Sequence, residues 1–145
     1  MRVLMTGGGT AGHINPALSI AEAIKNEYPD AEFLFVGAEG RMEATLVPQA
    51  GYPIRTLKVE GFQRRLSVEN IKKNIRAAFH AVTASGTAAK IIRDFKPDIA
   101  IGTGGYVCGP VLRKAAKMGV NFRSPPYICG VNCTIPVWPF RGIIC

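Results

Sequence analysis

The stretch MTGGGTAGHINP, residues 5–16, brings four glycines and one histidine together. Gly7, Gly9 and Gly12 satisfy the loose pattern G-x-G-x-x-G, in which bare backbone N–H groups at a helix start attract phosphate. His13 lies outside that pattern. Histidine titrates nearer neutrality than any other side chain, so beside such donors it reads as a general base acting on a sugar hydroxyl. A second glycine cluster, GTGGY, occupies residues 102–106. Two such loops on one sheet edge would hold a diphosphate between them. The plainer alternatives are two tight strand-to-helix turns without a ligand, and a histidine that serves structure alone.

The elements that must position these residues follow from periodicity. RVLMT is a short apolar run ending at glycines, a buried strand. PALSIAEAIKNEY places Ala17, Leu18, Ile20, Ala21 and Ile24 on one helical stripe, with Pro16 in its first turn. AEFLFVGAEG reads as a second strand, RMEATLVPQAGY as a short helix stopped by Pro48, and IRTLKV as a third strand. A helical stretch is expected from about Val68 to Asp94, with Ser67 as N-cap and Gly86 as a break or kink. KPDIAIGTGG gives a fourth strand, and VCGPVLRKAAKMG a helix closing at Gly119. Strands alternating with helices predict a parallel α/β sheet covered on both faces. Ligands of such sheets bind beyond the carboxyl ends of the strands, where both glycine loops fall.

Composition narrows the class. The 145 residues are 48% hydrophobic and 19% charged, which suits a globular core. No apolar run reaches the length of a membrane span, and MRVLMTGGG does not resemble a signal peptide, so a cytoplasmic setting is expected. Ten Lys or Arg stand against three acids between Ile54 and Lys96, carrying +7 of the net charge of +8. NIKKNIRAAFHAV combines Ile71, Ile75, Phe79 and Val82 with Lys72, Lys73 and Arg76, a basic amphipathic pattern suited to an anionic lipid surface. Packing of the same apolar face on the sheet is the competing reading. The cysteines at 108, 129, 133 and 145 lack metal-ligand spacing, so no metal site is expected.

A dinucleotide oxidoreductase would need an acid at the end of the second strand to hold the ribose. Gly37 and Ala38 stand there, and Glu39 lies too far on. By contrast TGGGTAGHINPALSIAEAI, FVGAEGRMEATLVPQAGYPI and KPDIAIGTGGYVCGPV, in that order, resemble the N-terminal domain of the MurG family, glycosyltransferase family 28. The resemblance covers about residues 1–120, with Ala11 where the family usually has glycine.

The resemblance implies the N-terminal half of a GT-B enzyme, two Rossmann-like domains facing across a cleft. The reaction it implies moves N-acetylglucosamine from UDP-GlcNAc to lipid I (undecaprenyl-pyrophosphoryl-MurNAc-pentapeptide), with inversion, making lipid II for peptidoglycan. No metal, cofactor or nucleic acid is implied. Matched by motif, His13 is the candidate base, and Thr10, Ala11 and Gly12 line the first loop near the donor. Gly104, Gly105 and Tyr106 form the second loop, facing the acceptor diphosphate. The membrane patch becomes Ile71, Lys72, Lys73, Ile75, Arg76 and Phe79, on the cytoplasmic face of the membrane. Arg64 and Arg65 are alternative partners for the acceptor phosphates.

The composition changes after Val120. PPYICGVN stands where the family has a strand and the motif H-E-Q-N, so Asn132 matches the final asparagine. The expected organisation is an acceptor domain over 1–120 and an aberrant or truncated tail over 121–145, without a donor domain in this chain. The chain alone is then expected to be inactive. The competing functions are a non-catalytic subunit binding membrane and acceptor, a related lipid glycosyltransferase, and a nicotinamide-dependent oxidoreductase.

Overall fold

A computed structural model describes residues 1–58 and 86–123. Their elements are β1 (Arg2–Gly7), α1 (Ala11–Glu27), β2 (Glu32–Ala38), α2 (Glu43–Gln49) and β3 (Ile54–Leu57). A helix α3 over 86–95 then precedes β4 (Ile99–Gly104), α4 (Cys108–Lys117) and β5 (Asn121–Arg123). The five strands form one sheet in the order β3-β2-β1-β4-β5, and every pairing is parallel. Val3, Leu4 and Met5 pair with Phe33, Leu34 and Phe35 on one side and with Ile99, Ala100 and Ile101 on the other.

Side chains alternate across the sheet, and two cores result. Val3, Met5, Phe33, Phe35 and Ile101 meet Ile14, Ala17 and Ala21 of α1 and Val47 of α2. Leu4, Leu34, Val36 and Ala100 meet Ile91 and Ile92 of α3 and Val111, Leu112 and Ala115 of α4. Both faces are thus covered, as the near-continuous apolar strands require. Tyr52 closes one edge of the first core, 5.5 Å from the Phe33 ring and 5.3 Å from Phe35.

Two local expectations need correction. Helix α1 begins at Ala11, so Pro16 lies in its sixth position and not in the first turn. Thr10 is extended (φ −145°, ψ 154°), and its carbonyl accepts from the amides of His13 and Ile14, which starts the helix early. Proline has no N–H, so the Gly12 carbonyl forgoes its bond from position 16. Pro48 does not stop α2 but lies within its last turn, and the chain turns away at Gly51 with φ +81°. Gly86 is the first described residue of α3, and the rest of the expected helix before it lies outside the described residues. The sheet also runs beyond residue 120, because Asn121–Arg123 pairs with β4.

The order places β1 and β4 side by side where the chain's direction of winding reverses. Crevices outside the carboxyl ends of strands at such a point are the usual ligand sites of open parallel sheets. Here the two strands deliver the two glycine loops to that crevice.

Candidate functional site

The loops touch directly. The Gly8 amide donates to the Gly104 carbonyl at 3.3 Å. Gly105 has φ +85°, and a Cβ there would collide with the Gly8 carbonyl oxygen. Gly7 leaves space for the buried Thr103 hydroxyl, which any side chain at 7 would strike. Close approach of backbone to backbone is therefore what these glycines provide.

His13 stands at the third position of α1, half-buried, and is tied to Thr103 twice. The Thr103 hydroxyl donates to the His13 carbonyl at 2.7 Å. The ring Nδ1 lies 3.1 Å from the Thr103 carbonyl oxygen. A carbonyl oxygen only accepts, so Nδ1 carries the proton of this bond and the neutral ring keeps its lone pair on Nε2. Among the described residues Nε2 has no partner. The bond fixes the orientation of the imidazole and leaves Nε2 as the ring nitrogen facing away from Thr103.

The amides of Thr10, Ala11 and Gly12 have no hydrogen-bond acceptor among the described residues. They are the unsatisfied donors of a helix start, at the positive end of its dipole. Thr10 and Gly12 are exposed, and a Cβ on Gly12 would meet only the Thr10 hydroxyl, at 3.7 Å. The space in front of this turn is open.

Residues 41–43 complete the site, and sequence reasoning did not single them out. Glu43, the first residue of α2, is fully buried. Its Oε2 accepts from the Gly9 amide at 3.0 Å and its Oε1 from the Ala38 amide at 2.8 Å. Arg41 is exposed, with its guanidinium 6.0 Å from the centroid of the Tyr106 ring. Tyr106 in turn lies against Gly9, where a Cβ would come within 3.3 Å of its ring. Gly9 is thus held between an aromatic ring and a carboxyl. Gly8 and Gly37 are not among the positive-φ glycines, so their lack of a side chain serves space and not backbone angle.

The structure brings together His13, Thr10, Ala11, Gly12, Gly104, Gly105 and Tyr106 at one end of the sheet. Asn132, Arg64, Arg65 and the patch of Ile71, Lys72, Lys73, Ile75, Arg76 and Phe79 lie outside the described residues. Glu39 is exposed beyond the end of β2, while the buried Glu43 side chain occupies the space beside Gly8 and Gly37. The acid beside the first loop is therefore consumed by the protein's own amides. Cys108 is buried beneath the second loop, its thiol 3.7 Å from the Thr6 carbonyl oxygen. Among the described residues no helix is long and apolar enough to cross a membrane.

Comparison with known proteins gives this arrangement its family. The glycosyltransferase family 28 N-terminal domain matches residues 3–123. A relative from Phocaeicola vulgatus is 54% identical over 120 residues, 83% of this chain and 31% of its own length. One from Alkaliphilus oremlandii is 52% identical over 121 residues, 83% of this chain and 32% of its own. Both carry the name UDP-N-acetylglucosamine–N-acetylmuramyl-(pentapeptide) pyrophosphoryl-undecaprenol N-acetylglucosamine transferase. The crystal structure of MurG from Acinetobacter baumannii superposes with a TM-score of 0.69 at 26% identity, over 85% of this chain and 34% of that one. A UDP-GlcNAc 2-epimerase from Neisseria meningitidis shares the fold, with a TM-score of 0.58 at 16% identity over 96% of this chain and 36% of that one. The chain spans about a third of the length of the relatives it matches. The parallel sheet, the paired loops and this match agree: the chain belongs to glycosyltransferase family 28 and carries the family's Rossmann-like N-terminal domain of the GT-B fold.

Proposed function

We propose that this domain is the acceptor side of an inverting transferase that moves N-acetylglucosamine from UDP-GlcNAc to lipid I. The observation that carries the reading is the bond between His13 Nδ1 and the Thr103 carbonyl, which leaves Nε2 as the proton acceptor beside both loops. In the proposed step Nε2 takes the proton of the acceptor sugar hydroxyl as its oxygen attacks the anomeric carbon. The bond from that carbon to UDP breaks, and UDP leaves with the electron pair. Attack from the face opposite UDP inverts the centre. The unpaired amides of Thr10, Ala11 and Gly12, with the exposed Arg41, supply positive potential for phosphate. The names of relatives at 54% and 52% identity support the choice of donor and acceptor.

The same reading places the domain on the cytoplasmic face of the membrane, where a polyprenyl acceptor is anchored. Lys72, Lys73 and Arg76, beside Ile71, Ile75 and Phe79, supply the basic and apolar residues for such contact. No role with nucleic acid is proposed.

The test is a chimaera joining residues 1–123 to the C-terminal two-thirds of the Phocaeicola vulgatus relative. It should transfer N-acetylglucosamine from UDP-GlcNAc to a soluble lipid I analogue, and the His13→Ala form should not. A chimaera that folds, binds UDP-GlcNAc and transfers equally well without His13 would overturn the mechanism.

A further inference from the structure

Glu43 does more than fill a corner. A buried acid is rare unless its oxygens are satisfied, and here each oxygen takes one backbone amide from a different part of the chain. One amide, Ala38, ends β2; the other, Gly9, is the left-handed residue of the first loop, with φ +87°. Gly8 and Gly37 make room for the acid: a Cβ at 8 would collide with its carboxyl and one at 37 with its Cγ. Three elements therefore converge on a single side chain.

The consequence concerns which amides remain for a ligand. A phosphate-cradling glycine loop turns successive N–H groups toward the anion. In this loop the Gly9 N–H is turned inward to Glu43, and the Gly8 N–H to Gly104. The outward set begins only at Thr10 and continues through Ala11 and Gly12. We propose that Glu43 is a positioning residue, holding the first loop in the conformation that presents these three amides to a substrate phosphate. The inference rests on the reading of this edge as a phosphate site.

A carboxyl is the group the geometry demands. Glutamine offers one accepting oxygen and would set its NH₂ donors against the second amide, while aspartate keeps both oxygens but withdraws them by one methylene. The experiment uses the whole 145-residue chain with inorganic pyrophosphate as probe. Glu43→Gln, Glu43→Asp and a remote core variant, Ile92→Ala, are compared by melting temperature, amide hydrogen exchange and pyrophosphate titration followed by amide NMR shifts. The expected result is at least tenfold faster exchange at Gly9 and at least tenfold weaker pyrophosphate binding in Glu43→Gln, with partial recovery in Glu43→Asp. Ile92→Ala should lower the melting temperature and leave both readouts unchanged. Unchanged binding in folded Glu43→Gln, or equal weakening in Ile92→Ala, would overturn the proposal. A protected Gly9 amide in an unaltered chain that does not bind pyrophosphate would instead overturn the phosphate-site reading, and this inference with it.

Discussion

His13 and Thr103 are joined by two hydrogen bonds running in opposite directions. The threonine hydroxyl donates to the histidine carbonyl at 2.7 Å, and the imidazole Nδ1 meets the threonine carbonyl at 3.1 Å. One fastens the helix start to β4; the other fixes which ring nitrogen is left to react. The two effects are separable by mutation.

His13→Ala should act on rate. In the chimaera, the turnover number is expected to fall by roughly 10²–10⁴, the scale of a lost general base. The Michaelis constant for UDP-GlcNAc should move little, because a base acting in the transition state adds little ground-state binding. Steady-state kinetics with both substrates varied checks this, and near-normal turnover combined with a lower melting temperature would make the histidine structural.

Thr103→Val removes the hydroxyl and keeps the shape. It should cost about 1 kcal/mol of stability, the net worth of one such bond. The Thr103 carbonyl remains, so His13 should keep Nδ1–H, readable in the ¹⁵N shifts of its ring. A switch to the Nε2–H form would show that the hydroxyl, and not the carbonyl, orients the imidazole.

Glycines of the first loop should differ sharply among themselves. Gly8→Ala presses a methyl group into the buried Glu43 carboxyl and should cost about 1–3 kcal/mol, as overpacking does. Gly12→Ala makes only an ordinary contact with the Thr10 hydroxyl and should gain roughly 0.5–1 kcal/mol from lower backbone entropy in the unfolded chain. Yet its methyl group would stand before the open amides, so pyrophosphate binding should weaken in this more stable variant. Thermal melts paired with titrations of both proteins test the contrast.

Anionic vesicles should bind the chain in a salt-sensitive way. Each basic residue near such a surface contributes about 1 kcal/mol, so changing Lys72, Lys73 and Arg76 together to Gln should abolish most of the sedimentation. Equal sedimentation of both proteins at low salt would assign those charges to an ordinary solvated face.

Much of this architecture was legible from periodicity and punctuation. The apolar runs at Phe33–Val36 and Ala100–Ile101 end at glycine, the run Val3–Met5 is followed by Thr6 and then glycines, and each is a parallel strand. Pro16 and Pro48 misled because proline marks a boundary only by weak preference. The extended Thr10 started α1 earlier, and α2 carried its proline in the final turn. Glu43 was illegible for a different reason. Its partners are backbone amides at Gly9 and Ala38, which have no letter in the sequence, and an acid in an exposed-looking RMEA stretch reads as surface. The glycine pair at 8 and 37 held the clue, but only the fold shows that both face one side chain.

The parallel order also dictates when the site comes into being. β1 is an interior strand, and its second neighbour, β4, follows only after β2 and β3 have been made. His13 and Thr103 stand 90 positions apart, so their contact closes one of the longest loops in the molecule. During synthesis, a nascent chain ending before β4 carries Val3, Leu4 and Met5 with one open backbone edge, the state most prone to pair with a stranger. Arrival of Ile99–Gly104 seals that edge and in the same event sets the second glycine loop against the first. The docking of β4 therefore joins the two loops and closes that edge together, and a variant that weakens β4 pairing should weaken both together.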